Sequence, residues 1–116
     1  MGAFDEEHIE VGPQQAAELI RDGKVQLVDV REPYEVEAGR IEGSRHVELE
    51  RLASQADSLE RETPVLFYCR SGVRSGMAAS AFRRAGYEAF SLTGGLTAWH
   101  AEGLPLEPED GHVADH

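Results

Sequence analysis

The only cysteine of this 116-residue chain, Cys69, lies between an apolar run and an alanine-rich segment. The run at 65–68 predicts a buried strand and the segment at 75–85 predicts a helix, so Cys69 falls in the tight loop that joins them. A thiol becomes a strong nucleophile when it ionises, and converging backbone N–H groups at a helix start favour the ionised form. We therefore interpret Cys69 as a nucleophile. The alternative is a small buried residue that ends a core strand.

The loop after Cys69 supplies two cations and several hydrogen-bond donors, with no acidic residue between positions 70 and 86. The two arginines would neutralise an anionic substrate, and the glycine permits the backbone angles of a tight turn. The two serines can donate hydrogen bonds into the loop, and the second can cap the helix. We predict that the substrate-binding residues are Arg70, Ser71, Gly72, Val73, Arg74 and Ser75.

A second polar group follows another predicted strand. Asp29 lies at the end of the apolar run 25–30, with Arg31 and Glu35 shortly after it. Loops at the carboxyl ends of parallel strands share one edge of the sheet, so this group is expected beside the Cys69 loop. We predict that Asp29, Arg31 and Glu35 support the loop through a polar network instead of contacting the substrate. Asp29 is expected to stabilise the loop by pairing with a loop arginine or a backbone N–H, and the alternative for Arg31 and Glu35 is that they are plain surface charges.

The elements that position these loops are alternating strands and helices. This alternation predicts an α/β fold, with a parallel sheet, right-handed crossovers and helices on both faces. The predicted strands lie at 9–11, 25–30, 45–48, 65–68 and 88–92. The predicted helices begin near 13, 34, 49, 75 and 95.

The length of the chain and the composition of its ends predict one domain with two short extensions. Residues 1–8 are polar and acidic and predict a flexible N-terminus. Residues 9–106 form the predicted domain. Residues 107–116 contain four acids, no lysine or arginine and two histidines, and we predict that they form a flexible acidic tail.

The formal net charge of −11 argues against a nucleic acid or an anionic membrane as a partner, because phosphates would be repelled. A single cysteine cannot form an intramolecular disulfide, so nothing requires an oxidising compartment, and we expect a cytoplasmic protein. No apolar run approaches the length of a membrane span, and the N-terminus lacks the features of a secretory signal. The five histidines do not fall at metal-ligand spacing, so no metal site is predicted.

The sequence resembles the rhodanese family in its single-domain form. The resemblance covers roughly residues 9–106, and the order and spacing of its parts make it specific. The matching stretches are 27–32, 35–43, 65–75 and 93–99. The chain departs from the family at 39–44, where Gly-Arg-Ile-Glu-Gly-Ser stands in place of the frequent Gly-His-Ile-Pro-Gly-Ala. The resemblance implies a five-stranded parallel sheet flanked by helices on both faces, with the catalytic cysteine in the loop after the fourth core strand.

The resemblance also implies an activity. The Cys69 thiolate would take the outer sulfur from a small anionic donor such as thiosulfate and hold it as a persulfide. A nucleophilic acceptor, either cyanide or the thiol of a small molecule or a protein, would then remove that sulfur. Such a thiosulfate sulfurtransferase needs no metal and no organic cofactor.

Two rival functions remain open at this point. One is a phosphatase or arsenate reductase of the same fold, and the other is a non-catalytic module that senses sulfur or binds a partner. The related phosphatases have a longer active-site loop, whereas four residues separate Cys69 from Arg74 here. A phosphate needs a wider cradle than a sulfane sulfur, so the short loop favours sulfur transfer.

Overall fold

The computed structural model describes residues 9–115, and its centre is a five-stranded sheet in the spatial order β1-β5-β4-β2-β3. Every pair of neighbouring strands is parallel, which confirms the predicted α/β fold. The strands are β1 (Glu10–Val11), β2 (Gln26–Asp29), β3 (Arg45–His46), β4 (Val65–Tyr68) and β5 (Ala89–Leu92). The prediction of a flexible N-terminus at 1–8 lies outside the described residues.

Five α-helices connect or follow the strands. They are α1 (Pro13–Arg21), α2 (Pro33–Ala38), α3 (Leu52–Gln55), α4 (Val73–Arg84) and α5 (Gly95–Ala101). Two 3-10 turns, Leu49–Arg51 and Ala56–Ser58, flank α3, so the predicted helix at 49–59 is broken into three short pieces. Within residues 9–115, no helix has both the length and the apolar character that crossing a membrane requires.

The central strand β4 shows why the core has two halves. All four of its side chains are buried, and successive side chains of a strand point to opposite faces of the sheet. Val65 and Phe67 belong to the cluster under α4, where Phe67 stacks edge-on against Phe82 with their centroids 5.1 Å apart. Leu66 and Tyr68 belong to the cluster under α1 and α5. Helices therefore cover both faces of the sheet. The carboxyl end of β4 leads directly into the loop that contains Cys69.

The start of α5 holds the Cys69 loop in place. The backbone N–H of Leu96 donates to the carbonyl oxygen of Cys69 at 2.8 Å, and that of Thr97 donates to the carbonyl oxygen of Arg70 at 3.1 Å. Gly95 makes this approach possible, because it has a φ of +60° and a Cβ there would lie 2.5 Å from both carbonyl oxygens. Gly95, the first residue of α5, therefore permits direct backbone contact between the start of this helix and the Cys69 loop.

Residues 107–115 lie against the domain, where the sequence analysis expected a flexible acidic tail. Arg40 and Glu107 exchange two backbone hydrogen bonds, of 3.0 and 2.7 Å, and the N–H of His112 donates to the carbonyl oxygen of Ala38 at 2.8 Å. Val113 packs against the apolar cluster under α1 and α5. Backbone pairing and one apolar anchor hold the segment, and neither is visible in its acidic composition.

Candidate active site

The sulfur of Cys69 sits inside the turn that joins β4 to α4. Gly72 adopts a left-handed conformation with a φ of +108°, which turns the chain so that α4 begins at Val73, two residues earlier than predicted. The N–H of Gly72 donates to Sγ at 3.1 Å and the N–H of Ser75 donates to Sγ at 3.4 Å. The Oγ of Ser75 lies 3.5 Å from the same sulfur. The side chain of Cys69 is buried, so these donors replace water around it.

These contacts favour the ionised form of the Cys69 thiol. Burial is the largest single influence and raises the pKa of Cys69, because it penalises the thiolate. The side chain and backbone of Ser75, with the backbone N–H groups of Gly72 and Ser71, together outweigh that penalty, so the pKa of Cys69 lies below its ordinary value. A lowered thiol pKa is what a cysteine nucleophile requires near neutral pH.

We expect alkylation of Cys69 by iodoacetamide to rise with pH around a midpoint below that of a free cysteine in the denatured chain. The same lowered pKa affects folding stability: ionisation adds stability above the unfolded-state pKa, and this contribution is lost as the pH falls through the folded-state pKa. Alkylation rates from pH 5 to pH 10, for the native and the denatured protein, measure both midpoints. A native midpoint equal to or above the denatured one contradicts this description of the loop.

Arg74 forms an ion pair with the buried carboxylate of Glu35. The two terminal nitrogens of Arg74 contact the two carboxylate oxygens at 2.8 and 2.9 Å, and the backbone N–H of Glu32 donates to Glu35 at 3.1 Å. The hydrogen bond from Arg74 to Glu35 is the main cause of the raised pKa of Arg74. Glu35 therefore holds the positive charge of Arg74 beside Cys69. Glu35 was predicted to support the loop and Arg74 to bind substrate, and the two are in direct contact.

Asp29 and Arg31 form a fully buried pair beneath the same edge of the sheet. The Nε and Nη2 atoms of Arg31 contact the carboxylate of Asp29 at 2.9 and 2.7 Å, and the backbone N–H of Arg31 donates to it at 3.0 Å. Arg31 also donates to the carbonyl oxygens of Glu35 and Gly39, at 3.3 and 2.8 Å. The three residues of the predicted polar network thus lie together, with Arg31 joining the end of β2 to α2.

Arg70 points away from the sulfur and toward the C-terminal segment. Its Nε donates to the carbonyl oxygen of Ala114 at 3.1 Å, and its Nη2 lies 3.4 Å from the carboxylate of Asp115. Ser71 and Val73 are exposed, and 69% of the Val73 surface is accessible. Of the six predicted substrate-binding residues, Gly72 and Ser75 therefore contact the sulfur of Cys69 directly, whereas the side chain of Arg70 contacts the C-terminal segment.

Two features of the site escaped the sequence analysis. Ala114 and Asp115 contact Arg70 across 44 and 45 residues of sequence, and nothing local predicts that contact. Ser91 lies in β5 with its hydroxyl 2.7 Å from that of Ser75. A single serine in an otherwise apolar strand was a usable signal, because a buried hydroxyl needs a partner.

The chemistry that this arrangement supports is nucleophilic. A thiol with a lowered pKa lies among backbone N–H donors, and an anchored arginine beside it offsets negative charge. The same donors would stabilise a terminal sulfur or a small anion bound at Cys69. Within residues 9–115, no three histidine, cysteine, aspartate or glutamate side chains are grouped as metal ligands would be.

Comparison with known proteins agrees with this geometry. Residues 12–102 match the family described as Rhodanese-like domain. The chain is 43% identical over 77 residues to the uncharacterized protein YqhL of Bacillus subtilis (strain 168), in an alignment that covers 66% of this chain and 61% of that protein. This chain therefore spans less than two thirds of that relative's length.

Two further relatives are described by name. The chain is 33% identical over 92 residues to thiosulfate sulfurtransferase GlpE of Pseudomonas aeruginosa (strain LESB58), covering 78% of this chain and 83% of that protein. The crystal structure of a rhodanese-related protein from Thermoplasma volcanium superposes with a TM-score of 0.79 at 28% identity, covering 84% of this chain and 95% of the other. On the match over residues 12–102 and the shared fold, this chain belongs to the rhodanese-like domain family.

Proposed function

We propose that this protein is a sulfurtransferase that carries a sulfane sulfur on Cys69 as a persulfide. The observation that carries this proposal is the set of donors around Sγ, with the N–H groups of Gly72 and Ser75 at 3.1 and 3.4 Å. They stabilise a negative charge on sulfur, which both the attacking thiolate and the persulfide bear. The relative from Pseudomonas aeruginosa, named a thiosulfate sulfurtransferase, supports the same assignment.

In the first half-reaction, the Cys69 thiolate attacks the outer sulfur of a donor such as thiosulfate. A new S–S bond forms, the original S–S bond of the donor breaks, and sulfite leaves with the electron pair of that bond. Cys69 then carries a persulfide with a negative terminal sulfur. The loop N–H groups and the anchored cation of Arg74 offset the charge that moves through this step.

In the second half-reaction, an acceptor nucleophile attacks the terminal sulfur of the persulfide. Cyanide would leave as thiocyanate, and a thiol would leave as a persulfide of the acceptor. The electron pair of the broken S–S bond returns to Sγ, which regenerates the thiolate. The cycle is a two-step covalent mechanism in which donor and acceptor react in turn. None of these bond changes requires a metal or an organic cofactor.

The predicted substrate-binding residues take separate roles in this proposal. Ser71, Gly72, Val73 and Ser75 contribute through the loop that holds the sulfur, and Gly72 sets the shape of the loop. Arg74 supplies a positive charge that Glu35 holds in place. Arg70 would reach an anionic donor by releasing its contacts with the C-terminal segment.

The short loop also distinguishes sulfur transfer from phosphate hydrolysis. Four residues separate Cys69 from Arg74, and the two terminal nitrogens of that arginine contact Glu35. A phosphatase of this fold would need a wider turn whose arginine contacts the phosphate. We therefore expect no hydrolysis of p-nitrophenyl phosphate by the wild-type protein.

The experiment that tests the proposal measures thiocyanate produced from thiosulfate and cyanide. We expect initial rates that follow two-step kinetics, with parallel lines in double-reciprocal plots at several cyanide concentrations. A second assay with p-nitrophenyl phosphate distinguishes the rival phosphatase. Hydrolysis of the phosphate ester without any thiocyanate contradicts the proposal. A persulfide that forms and is never transferred to cyanide or to a thiol would indicate the non-catalytic sulfur-sensing module instead.

The contact between Arg70 and Asp115 predicts a measurable effect on the donor. Asp115 is almost fully exposed, so this ion pair is weak, yet its carboxylate competes with an anionic donor for Arg70. We expect Asp115→Asn to lower KM for thiosulfate by about 1.5- to 5-fold with little change in kcat, and the difference should shrink at high salt. Asp110→Asn removes one acid from the same segment and serves as the control. An equal effect of both substitutions contradicts the specific contact.

A further inference from the structure

Ser91 lies behind Cys69 with a hydroxyl that the sulfur-transfer steps do not use. Its register in β5 places it opposite Phe67 of β4, and Phe67 and Cys69 share the face of the sheet that α4 covers. The Ser91 hydroxyl therefore faces the first turn of α4, where its Oγ lies 2.7 Å from the Oγ of Ser75. Ser75 in turn lies 3.5 Å from Sγ of Cys69. The three side chains form a continuous line from the sheet to the sulfur.

The number of hydroxyl protons along this line limits which group each side chain can donate to. The Ser75 hydroxyl has one proton and three neighbouring acceptors, which are Ser91 Oγ at 2.7 Å, the Gly72 carbonyl oxygen at 3.3 Å and Cys69 Sγ at 3.5 Å. When Cys69 is a neutral thiol, its S–H can donate to Ser75. When Cys69 is a thiolate, its sulfur can only accept, so a hydrogen bond between the two side chains requires Ser75 to donate, and the Ser75 oxygen is then open to a proton from Ser91.

The surroundings of Ser91 favour this donor role. Only 2% of Ser91 is exposed, and the other residues of β5, Ala89, Phe90 and Leu92, are apolar. Within residues 9–115, the contact with Ser75 is the hydrogen bond that the Ser91 hydroxyl makes. A buried hydroxyl without a partner is costly, so this one is held toward Ser75. A hydroxyl that accepts a hydrogen bond also becomes a stronger donor to the next group along a chain.

We propose that Ser91 is a positioning residue for sulfur transfer: its hydroxyl donates to Ser75 and thereby directs the Ser75 proton to the negatively charged sulfur of Cys69. The inference rests on the proposed function for its biological purpose. No net proton transfer occurs, because both hydroxyl protons stay on their own oxygens and only reorient when the sulfur changes charge. The orientation of the buried Ser75 and Ser91 hydroxyls therefore changes with the charge on the Cys69 sulfur.

Replacing Ser91 removes none of the charged side chains around the loop. They are Arg70 within the loop with Asp115 of the C-terminal segment, Arg74 on α4 paired with Glu35 on α2, and the Asp29–Arg31 pair after β2. A change in the ionisation midpoint of Cys69 when Ser91 is replaced is therefore attributed to the loss of the Ser91–Ser75 hydrogen bond.

The test compares Ser91→Ala with Ser91→Thr, which restores a hydroxyl, and with Ser44→Ala as the matched control. Ser44 also belongs to a hydroxyl pair, with its Oγ 3.0 Å from the Tyr68 hydroxyl, but it does not contact Cys69. Iodoacetamide alkylation of Cys69 is followed against pH in each full-length variant. This readout needs no sulfur donor, so the inference can fail while the proposed function stands, and the reverse also holds.

We expect Ser91→Ala to alkylate about 3- to 10-fold more slowly than wild type below the midpoint and at the wild-type rate well above it. Ser91→Thr and Ser44→Ala should follow the wild-type profile. The thiocyanate rate of Ser91→Ala should fall by a similar factor at the same low pH. In a Ser75→Ala background, the second substitution Ser91→Ala should change nothing further, because Ser91 acts through Ser75.

An unchanged or faster alkylation of Ser91→Ala at low pH overturns the proposal, because Ser75 would then donate to Ser91 instead of accepting from it. Equal slowing in Ser91→Ala and Ser91→Thr also overturns it, since the effect would follow packing and not the hydroxyl. An alkylation rate of Ser91→Ala that differs from the wild-type rate by the same factor at every pH also overturns the proposal, since the ionisation midpoint of Cys69 would then be unchanged. If Ser91→Ala does not fold, Ser91→Val is compared with Ser91→Thr, because these two side chains have nearly the same shape and differ by the hydroxyl. Ser91→Val must show the slowing at low pH while Ser91→Thr keeps the wild-type midpoint, and identical profiles overturn the proposal.

Discussion

Replacing Cys69 with serine is expected to abolish sulfur transfer while leaving the fold intact. A serine hydroxyl does not ionise near neutral pH, and the N–H donors at Gly72 and Ser75 cannot make it do so. No sulfane sulfur can then be carried between donor and acceptor. We expect thiocyanate formation to fall by at least about 10³-fold, to the background of the assay.

Two measurements separate lost chemistry from lost structure in the Cys69 variants. Cys69→Ala should be equally inactive, and thermal unfolding of both variants should show one cooperative transition close to that of the wild type. The Ser44→Ala variant, with a wild-type cysteine, provides an active reference because Ser44 does not contact Cys69. Thiocyanate production by Cys69→Ser above about one hundredth of the wild-type rate would mean that another group carries the sulfur.

Replacing Arg31 with methionine is expected to cause the largest loss of stability at the site. Arg31 is fully buried, contacts Asp29 at 2.7 and 2.9 Å, and also donates to the carbonyl oxygen of Gly39. Without it, the buried Asp29 carboxylate loses the cation that contacts it. We expect the free energy of unfolding, measured in urea, to fall by about 3–5 kcal/mol.

An exposed arginine–aspartate pair in the same chain provides the control for Arg31. Arg21 lies 3.6 Å from Asp22, and both side chains are more than half exposed. Arg21→Met should change the free energy of unfolding by less than about 0.5 kcal/mol. The double variant Asp29→Asn, Arg31→Met should be more stable than Arg31→Met alone, because it removes the unpaired charge. A loss below about 1 kcal/mol for Arg31→Met would show that the buried pair contributes little.

The parts of the fold that the sequence predicts are those set by local patterns. The apolar run of β4 and the alternation of strands with helices predict a parallel sheet, because a strand buried on both faces must be covered by helices. The spacing of Leu52, Ala56 and Leu59 predicts that the helix beginning near 49 continues as one piece to 59. The structure breaks it into two 3-10 turns around a short α-helix, a difference that tertiary packing decides.

The site was predictable where its residues are neighbours in sequence and not where they meet across the fold. The loop of Cys69 is local, so its glycine and serines could be identified directly. The pairing of Arg74 with Glu35 spans 39 residues and depends on how α2 and α4 are placed on the sheet. Sequence patterns placed Glu35 in a polar network at this edge but did not identify its partner.

The contacts of the C-terminal segment could not be predicted from its composition, and its flexibility stays a prediction. Its acids and its lack of basic residues resemble a solvated tail. Its attachment instead depends on two backbone hydrogen bonds with Arg40, one with Ala38 and the apolar contact of Val113. Backbone groups carry no sequence signature, so only the structure reveals that this segment reaches Arg70 beside the active-site loop.

The measurement that tests the central claim most directly is the intact mass of the protein after incubation with thiosulfate. We predict a mass increase of one sulfur atom, located on the peptide that contains Cys69 and absent from the Cys69→Ser variant. Adding cyanide should return the mass to its original value and release thiocyanate. An unchanged mass after incubation with both thiosulfate and polysulfide, or an added sulfur that stays in the Cys69→Ser variant, would contradict the persulfide on Cys69.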